Sequence, residues 1–182
     1  MRAVERRRMS YDDYLALPES TRAEWVDGEV VVNPPPSYHH QRSSLRIARI
    51  LEDALPSLFV VEAAGIRLPG NRERIPDIMV LDREPEGPYV DYAAVLVVEI
   101  LSPSTRTEDT VRKSAEYLAG DVGQYWILDP SGYCLDVLAG SGTEWKPVAR
   151  LDEVTPEGRV EVGRHGVVAV DLRAVLGQPG PS

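Results

Sequence analysis

The chain has 182 residues, of which 43% are hydrophobic and 27% are charged, as is usual for one folded domain. A chain of this length can bury roughly 70% of the surface that its unfolded form exposes, so it can form a core without disulfides. The longest apolar run is residues 93–98, whereas a membrane-spanning helix needs ~20 apolar residues. The composition therefore excludes wholesale disorder and predicts no membrane association.

Charge and cysteine content narrow the function classes further. Twenty basic residues against 29 acidic ones give a net charge of −9. This balance disfavours binding of nucleic acid by bulk electrostatics and suits a protein that gathers carboxylates around a cation. Cys134 is the single cysteine, which excludes an internal disulfide and a cysteine-based zinc site. Because the N-terminus is charged and lacks the apolar stretch of a secretory signal, we expect a cytoplasmic protein.

The first half of the chain predicts two helices separated by a hairpin. Ser10 followed by two aspartates is a helix-start signal, and Asp27-Gly28 is a dipeptide typical of tight hairpin turns. In chain order the predicted elements are a short helix from Ser10 to Pro18, a hairpin over 23–32, a Pro-rich connector over 33–37 and a helix over 38–55.

The second half predicts strands with one further helix. Residues 94–101 are nearly all aliphatic, which is typical of a central strand buried on both faces. The other predicted elements are β-rich residues 58–68, a strand over 76–81, a helix over 107–119, a buried strand over 124–128, and short strands around 135–138, 146–151 and 166–170. This order predicts one α/β (α+β) domain over 1–182, with a mixed central β-sheet flanked by helices and loose ends at about 1–9 and 177–182.

Two acidic residues stand at positions where a sheet is expected to be apolar. Glu99 lies inside the aliphatic run 94–101, and Asp77 opens the strand over 76–81. A carboxylate removed from water without a partner costs several kcal/mol, so Glu99 needs an arginine, a proton, a cleft or a metal. If the two strands are neighbours, both acids could bind one divalent cation. The alternative is that Glu99 meets an arginine or ends its strand in solvent.

Three residues of the helix over 107–119 form a second candidate group. Asp109, Lys113 and Tyr117 are spaced four residues apart and therefore line one face of that helix. By itself such a face is expected to be exposed and salt-bridged, and it stabilises a protein only slightly. The inner side of the helix is predicted to carry its apolar residues, Val111, Ala115 and Leu118.

Glu24 in the hairpin and His40 at the start of the second helix complete the candidates. Joint metal ligation by His40 and its neighbour His39 is not expected, because adjacent helical residues point apart. Ser102 lacks the Gly-x-Ser-x-Gly elbow of a hydrolase nucleophile. Neither Gly-x-Gly-x-x-Gly nor a Walker-type loop occurs, which excludes dinucleotide dehydrogenases and P-loop enzymes.

The order of these residues resembles the PD-(D/E)XK nuclease superfamily, and more closely the Uma-two family of predicted restriction-endonuclease-like proteins. The matching segments run in order over about residues 10–140: 24–29 (Glu-Trp-Val-Asp-Gly-Glu), Pro34 with Pro36-Ser37, His40-Gln41, Pro76-Asp77, 97–104 (Val-Val-Glu-Ile-Leu-Ser-Pro-Ser), Asp109 with Lys113 and Tyr117, and 125–130 (Tyr-Trp-Ile-Leu-Asp-Pro). The superfamily motif has lysine two residues after the acid, where this chain has Leu101. The resemblance therefore points to Lys113, from the following helix, as the lysine.

The resemblance implies a restriction-endonuclease-like core and a Mg²⁺-dependent endonuclease, with Mn²⁺ as a substitute. The implied residues are Asp77, Glu99 and the backbone carbonyl of Ile100 for the metal, and Lys113 with Glu24 for catalysis, supported by Asp109 and Tyr117. In such an enzyme Lys113 would orient the attacking water or stabilise the leaving charge. Glu24 would either ligate a second metal or fix Lys113.

DNA is the expected partner, bound by local basic residues in spite of the overall acidity. These residues lie on the helix over 38–55: His40, Arg42, Arg46 and Arg49. A solvated helix face paired with nearby acids is the alternative. We also expect a homodimer, because cleavage of both strands of a duplex is simplest with two sites related by a two-fold axis.

Two other functions are compatible with the sequence. The acidic charge favours a catalytically silent interaction or regulatory module with the nuclease fold, whereas the intact set of Asp77, Glu99 and Lys113 argues against it. A hydrolase of a small phosphoester would use the same site without the arginines. Divalent-cation binding measured with and without Asp77 would separate the nuclease from the silent module.

Overall fold

The computed structural model describes residues 5–18, 21, 23–102 and 106–177. The strands in these ranges are β1 (Glu5–Arg8), β2 (Ala23–Val26), β3 (Glu29–Val32), β4 (Phe59–Glu62), β5 (Ile66–Leu68), β6 (Arg72–Arg74), β7 (Ile78–Leu81), β8 (Leu96–Ile100), β9 (Gln124–Asp129), β10 (Cys134–Gly140), β11 (Trp145–Leu151), β12 (Glu157–Val162) and β13 (Gly166–Asp171). The helices are α1 (Tyr11–Leu15), α2 (Tyr38–Ala54), the π-helix Glu108–Lys113, α3 (Ser114–Ala119) and α4 (Leu172–Leu176). None of these helices combines the length and the apolar character needed to cross a bilayer.

The central sheet has the strand order β11-β10-β9-β8-β7-β4 within the described residues. β8 and β9 run parallel and the other neighbours antiparallel, so the sheet is mixed, as predicted. The residues of β7, β8 and β9 are all buried, because other elements cover both faces of the sheet. Along β8, Leu96, Val98 and Ile100 face a first core, and Val97 and Glu99 face a second core on the opposite side.

The first core lies between the central sheet and α2. The Ser37 hydroxyl caps this helix by accepting the N–H of His40 at 3.2 Å, and α2 turns Ile47 and Leu51 toward the sheet. The hairpin β12–β13 and α4 close the same core. Burial of each aliphatic side chain contributes roughly 1.5–3 kcal/mol, so apolar packing is the main interaction on this side of the sheet.

The second core lies between the central sheet, α3 and a second sheet. The second sheet is antiparallel, with the order β1-β3-β2-β6-β5 in the described ranges. Asp27 and Gly28 have φ of 52° and 83°, as the tight turn between β2 and β3 requires. One face of this sheet packs against α1 through Trp25, and the other face contributes Ile66 to the second core.

The mixed α+β class predicted from the sequence is confirmed, but the N-terminal segment differs. The sequence predicted loose residues over about 1–9, whereas β1 (Glu5–Arg8) pairs along its length with β3. An exposed run of three arginines shows no apolar alternation, so no pattern indicated a strand there. At the other end, Gly177 terminates α4 with a φ of 74°, and residues 178–182 lie outside the described ranges.

The helix predicted after β8 also differs, because it is a π-helix followed by α3. Its inner side is not the apolar one that the sequence suggested. Val111 is 61% exposed and Ala115 is exposed, whereas Asp109, Lys113 and Tyr117 are buried. A π-helix has wider turns than an α-helix, so the period of 3.6 residues does not place its faces correctly. The alternative of an exposed salt-bridged face is therefore wrong.

Candidate functional site

Glu99 stands in the second core, where the alternation of β8 would otherwise place an aliphatic side chain. It is 3% exposed, and its Oε1 accepts hydrogen bonds from Lys113 Nζ at 2.9 Å and Tyr117 OH at 2.7 Å. Burial raises the pKa of the Glu99 carboxyl well above its ordinary value. The charge of Lys113 opposes this shift in pKa, while the charges of Asp109 and Asp77 add to it. The partner of the buried acid is therefore a lysine rather than an arginine or solvent.

Lys113 lies at the centre of a group of acids. It is 5% exposed, and its Nζ is within ion-pair distance of three carboxylates: Glu24 (3.2 Å), Glu99 (2.9 Å) and Asp109 (3.4 Å). Burial lowers the pKa of a lysine, but the charges of Glu24 and Glu99 outweigh it and raise the pKa of Lys113 well above its ordinary value. The ammonium is therefore charged. We call Glu24, Glu99, Asp109 and Lys113 the lysine cluster.

Glu24 reaches the lysine cluster from β2 of the second sheet and is 1% exposed. Its Oε1 accepts the backbone N–H of Ile75 at 3.0 Å, and its Oε2 accepts Nη1–H of Arg74 at 3.0 Å. Burial would raise the pKa of Glu24, but the charges of Lys113 and Arg74 outweigh it, so the pKa is lowered. Glu24 is thus a charged link between Lys113 and Arg74.

Arg74 was not among the residues that the sequence predicted for the site, and it is fully buried (0% exposed). Its guanidinium donates to three carboxylates: Glu24 at 3.0 Å, Glu108 at 2.8 Å and Glu116 at 2.6 and 3.0 Å. These contacts join the second sheet to the π-helix and α3. The sequence offered no signal for this role, because the polar run 72–74 after Gly70 is typical of an exposed turn.

Asp77 lies one residue before β7, next to the end of β8. Ile78 of β7 pairs with Val98 of β8, which places Asp77 beside Glu99 across the two strands. Its Oδ2 accepts the N–H of Ile100 at 2.7 Å. The side chain is 23% exposed, so Asp77 is more open to solvent than the acids of the lysine cluster.

His40 lies against Asp77 rather than on the outer surface of α2. Its Nε2 is 3.2 Å from Asp77 Oδ2, and its side chain is 15% exposed. Burial lowers the pKa of the imidazole, but the hydrogen bond and charge of Asp77, with the backbone of Ile100, outweigh it and raise the pKa of His40. Its Nδ1 is buried and has no partner among the described residues. The sequence assigned His40 to nucleic acid, whereas its contact here is a candidate metal ligand.

Two tyrosines pack beside the lysine cluster within the second core. Tyr117 donates to Glu99, and Tyr125 donates to the backbone carbonyl of Asp109 at 2.8 Å. No pattern in the sequence assigned Tyr125 to the site. The two rings meet edge to face with centroids 5.4 Å apart. Burial, with the charge of Glu99 next, raises the pKa of both phenols well above the ordinary value. Both therefore act as neutral donors that fix their partners.

The arginines of α2 differ in their surroundings. Arg46 donates to the carbonyl of Val175 in α4 at 3.1 Å, so it holds α4 against α2. Arg42 is partly exposed and Arg49 is exposed. At ~1.5 Å per residue, α2 rises by about 13 Å from His40 to Arg49. The helix therefore brings His40 to the site and leaves Arg49 far from it.

The donor chemistry near Glu99 fits a divalent cation. Asp77 and Glu99 lie beside each other at the ends of β7 and β8, and the charge of Asp77 adds to the raised pKa of Glu99, which a divalent cation between them would relieve. Carboxylate and carbonyl oxygens are the ligands that Mg²⁺ prefers. Among the described residues, no group of three or more His, Cys, Asp or Glu side chains is arranged as a metal cage. A metal held by Asp77 and Glu99 would therefore depend on the Ile100 carbonyl and on water for its other ligands.

The sequence profile of the Uma2 family, described as "Putative restriction endonuclease", matches residues 11–168. The chain belongs to the Uma2 family. The match covers the lysine cluster, Asp77 and His40, and it confirms the family that the sequence motifs suggested. No curated protein shows significant similarity to this Uma2 chain.

A solved structure shares the fold of this Uma2 chain. It is the crystal structure of a "putative nuclease belonging to DUF820" from Anabaena variabilis ATCC 29413, with a TM-score of 0.75 and 21% sequence identity. The likeness covers 92% of this chain and 99% of that one. At this level of identity, it establishes the fold of the Uma2 chain and leaves the chemistry to be argued from its own residues.

Proposed function

We propose that this protein is a Mg²⁺-dependent endonuclease that hydrolyses DNA phosphodiester bonds. The observation that carries the proposal is that Asp77 lies beside Glu99 and that the buried ammonium of Lys113 contacts Glu99. The Uma2 family and the nuclease-fold neighbour support a nuclease-like function. Mn²⁺ would substitute for Mg²⁺, since both accept oxygen ligands.

Asp77, Glu99 and the backbone carbonyl of Ile100 would hold the metal. When bound, such a metal lowers the pKa of a water molecule and neutralises the charge that develops on the phosphate. The N–H of Ile100 already orients Asp77 through a bond of 2.7 Å. Tyr117 and Lys113 orient Glu99 in the same way, from the opposite side.

Lys113 would supply a fixed positive charge for the negative charge that develops in the transition state. A charge held in place beforehand costs little reorganisation at the moment of reaction. Glu24 would fix Lys113 rather than ligate a second metal, because both of its oxygens are already engaged. Oε1 contacts Ile75 N–H and Lys113, and Oε2 contacts Arg74.

DNA would approach from the side of Asp77. The acids of the lysine cluster are at most 3% exposed, whereas the side chains of Asp77 and His40 are 23% and 15% exposed. A phosphate would therefore meet Asp77 first, with Lys113 behind it.

Cleavage of supercoiled plasmid and linear duplex DNA in Mg²⁺, Mn²⁺ or EDTA tests the proposal. We expect metal-dependent cleavage that Asp77→Asn abolishes. Asp82→Asn is the matched variant, because it removes an exposed acid directly after β7, and it should cleave like the wild type. Cleavage that persists in Asp77→Asn, or none in either metal, would contradict the proposal.

A catalytically silent interaction or regulatory module is the second candidate. It is favoured by the two hydrogen bonds that Glu99 Oε1 accepts from Lys113 and Tyr117, because a purely structural network would hold the carboxylate in the same way. Calorimetric titration with Mn²⁺ separates the two functions. The nuclease should bind the ion in a manner that depends on Asp77, and a silent module should not.

The proposal extends to a homodimer with two sites related by a two-fold axis, since that arrangement suits cleavage of both strands of a duplex. Light scattering at micromolar concentration measures the assembly directly. A monomer that still makes double-strand breaks would show that the two cuts are made one after the other.

A further inference from the structure

β1, at the edge of the second sheet, carries three consecutive arginines: Arg6, Arg7 and Arg8. All three are exposed, in a chain with a net charge of −9. Arg6 pairs with Glu29 at 3.7 Å and Glu108 at 2.6 Å. Within the described ranges, no carboxylate lies within ion-pair distance of the other two. β1 also precedes residues 11–168, which the Uma2 profile matches.

The register of the second sheet decides where these arginines point. Arg6 pairs with Val31 of β3, and Val31 pairs on its other side with Glu24 of β2. Directly paired residues share a face of a sheet, so Arg6 lies on the same face as Glu24. Because side chains alternate along a strand, Arg8 is also on this face and Arg7 is on the opposite one.

A series of ion pairs, from Arg6 through Glu108 and Arg74 to Glu24, connects this face with the lysine cluster. Arg6 Nη2 is 2.6 Å from Glu108 Oε2, and Glu108 Oε1 is 2.8 Å from Arg74 Nη2. Glu108 begins the π-helix that ends at Lys113. The exposed arginines on this face of β1 therefore adjoin the segment that carries Lys113.

We propose that Arg6 and Arg8 bind backbone phosphates of the DNA substrate next to the lysine cluster, an inference that rests on the proposed nuclease function. The planar guanidinium pairs with phosphate oxygens through two parallel hydrogen bonds. Residues two apart in a strand are separated by about 6.8 Å, so each guanidinium can reach a different phosphate. Such contacts position a duplex without reading its sequence.

Charged residues on an edge strand have another explanation, because they prevent the edge from pairing with a second chain. That explanation requires charge on β1 but makes no distinction between Arg8 and Arg7. Phosphate binding beside the lysine cluster requires the face of Arg6 and Arg8 only. The two faces of the strand therefore supply the test.

Fluorescence anisotropy with a labelled DNA duplex measures binding in EDTA, where metal-dependent cleavage does not occur. Titrations at increasing KCl give the slope of log K against log[KCl], which reports the number of phosphates contacted. Arg8→Ala should reduce this slope by about 0.9, and Arg6→Ala/Arg8→Ala by about 1.8. Arg7→Ala is the matched variant on the other face and should keep the wild-type slope.

Arg6→Lys/Arg8→Lys retains the charges and should retain most of the slope, which separates loss of phosphate contact from loss of fold. Circular dichroism and thermal melting check each variant. Equal losses in Arg7→Ala and Arg8→Ala would overturn the inference and support edge protection. So would an unchanged slope in the double alanine variant, or a wild-type protein without measurable affinity at low salt. Face-specific binding by a protein that cleaves no DNA would refute the proposed nuclease function alone.

Discussion

Lys113 Nζ and Glu99 Oε1 lie 2.9 Å apart in the second core, where both side chains are almost completely buried. Tyr117 donates to the same oxygen at 2.7 Å, so an ammonium and a phenol hold the carboxylate from two directions. A buried ammonium is costly to desolvate, and removal of Lys113 would leave the buried acids around it without the cation that they share. Its contribution to stability can therefore be measured separately from any activity.

Lys113→Met should lower the free energy of unfolding by about 3–5 kcal/mol, because three buried carboxylates would face an apolar side chain. Urea unfolding measures this change. Lys146→Met removes a lysine whose side chain is 62% exposed, and it should cost less than about 0.5 kcal/mol. Similar losses in the two variants would show that Lys113 does not neutralise the cluster.

Lys113→Arg should remain folded, because it retains the positive charge, but it should lose most of the proposed cleavage. A planar guanidinium does not fit a site built around a compact ammonium. The plasmid assay, run beside a thermal melt of the same sample, measures both properties. Cleavage at the wild-type rate would remove Lys113 from the proposed catalytic group.

Arg74→Met should destabilise the protein by about 3–5 kcal/mol, since it leaves buried carboxylates of Glu24 and Glu116 without their shared cation. Arg72→Met removes an arginine from the same strand whose side chain is 29% exposed, and we expect a loss within about 1 kcal/mol. Denaturant unfolding of the two variants gives the comparison. Equal losses would mean that burial of Arg74 adds nothing to its ion pairs.

Glu99→Gln and Glu24→Gln should change stability in opposite directions at neutral pH. The pKa of Glu99 is raised, so ionisation is penalised in the folded state; the penalty is absent below the ordinary value of 4.5 and grows as pH rises. The pKa of Glu24 is lowered, so its charge stabilises the fold above 4.5, and this stability is lost as pH falls through the folded value.

Thermal melting in EDTA from acidic to mildly alkaline pH measures these effects. Glu99→Gln should melt above the wild type at alkaline pH, by a margin that narrows on acidification. Glu24→Gln should melt below the wild type at alkaline pH. Shifts of the same sign in both variants would contradict the assigned charge states.

Arg46→Ala should lower the free energy of unfolding by about 1–2 kcal/mol, because it removes a charged donor from the carbonyl of Val175. Arg49→Ala removes an exposed arginine from the same helix and should change it by less than about 0.5 kcal/mol. Chemical unfolding of both variants shows whether Arg46 holds α4 against α2 or is only solvated. Phosphate binding by these two and Arg42 stays a prediction.

The acids of the site could be predicted from the sequence because each breaks a strong local pattern. Glu99 interrupts an aliphatic strand, and Asp77 opens an apolar one. Lys113 could be predicted only from the family motif, because its spacing in the chain equally fits an exposed helix face. The wider turns of the π-helix, which local propensity does not reveal, carry it inward.

Arg74 and β1 could not be predicted, for a different reason. The carboxylates that Arg74 contacts come from positions 24, 108 and 116, and only the docking of two sheets brings them together. β1 forms because its backbone pairs with β3, although its side chains are all exposed. Backbone pairing at a sheet edge leaves no apolar signature in the sequence.

The π-helix also ties the length of this segment to its winding. A turn closed by i→i+5 hydrogen bonds holds about one residue more than an α-helical turn, so winding Glu108–Lys113 as ordinary α-helix without a deletion would rotate its beginning by about 100° relative to α3. Glu108 and Asp109 would then swing away from Arg74 and Lys113, although neither partner had been replaced. Relatives of this protein that form ordinary α-helix in this segment should therefore be one residue shorter there than this chain.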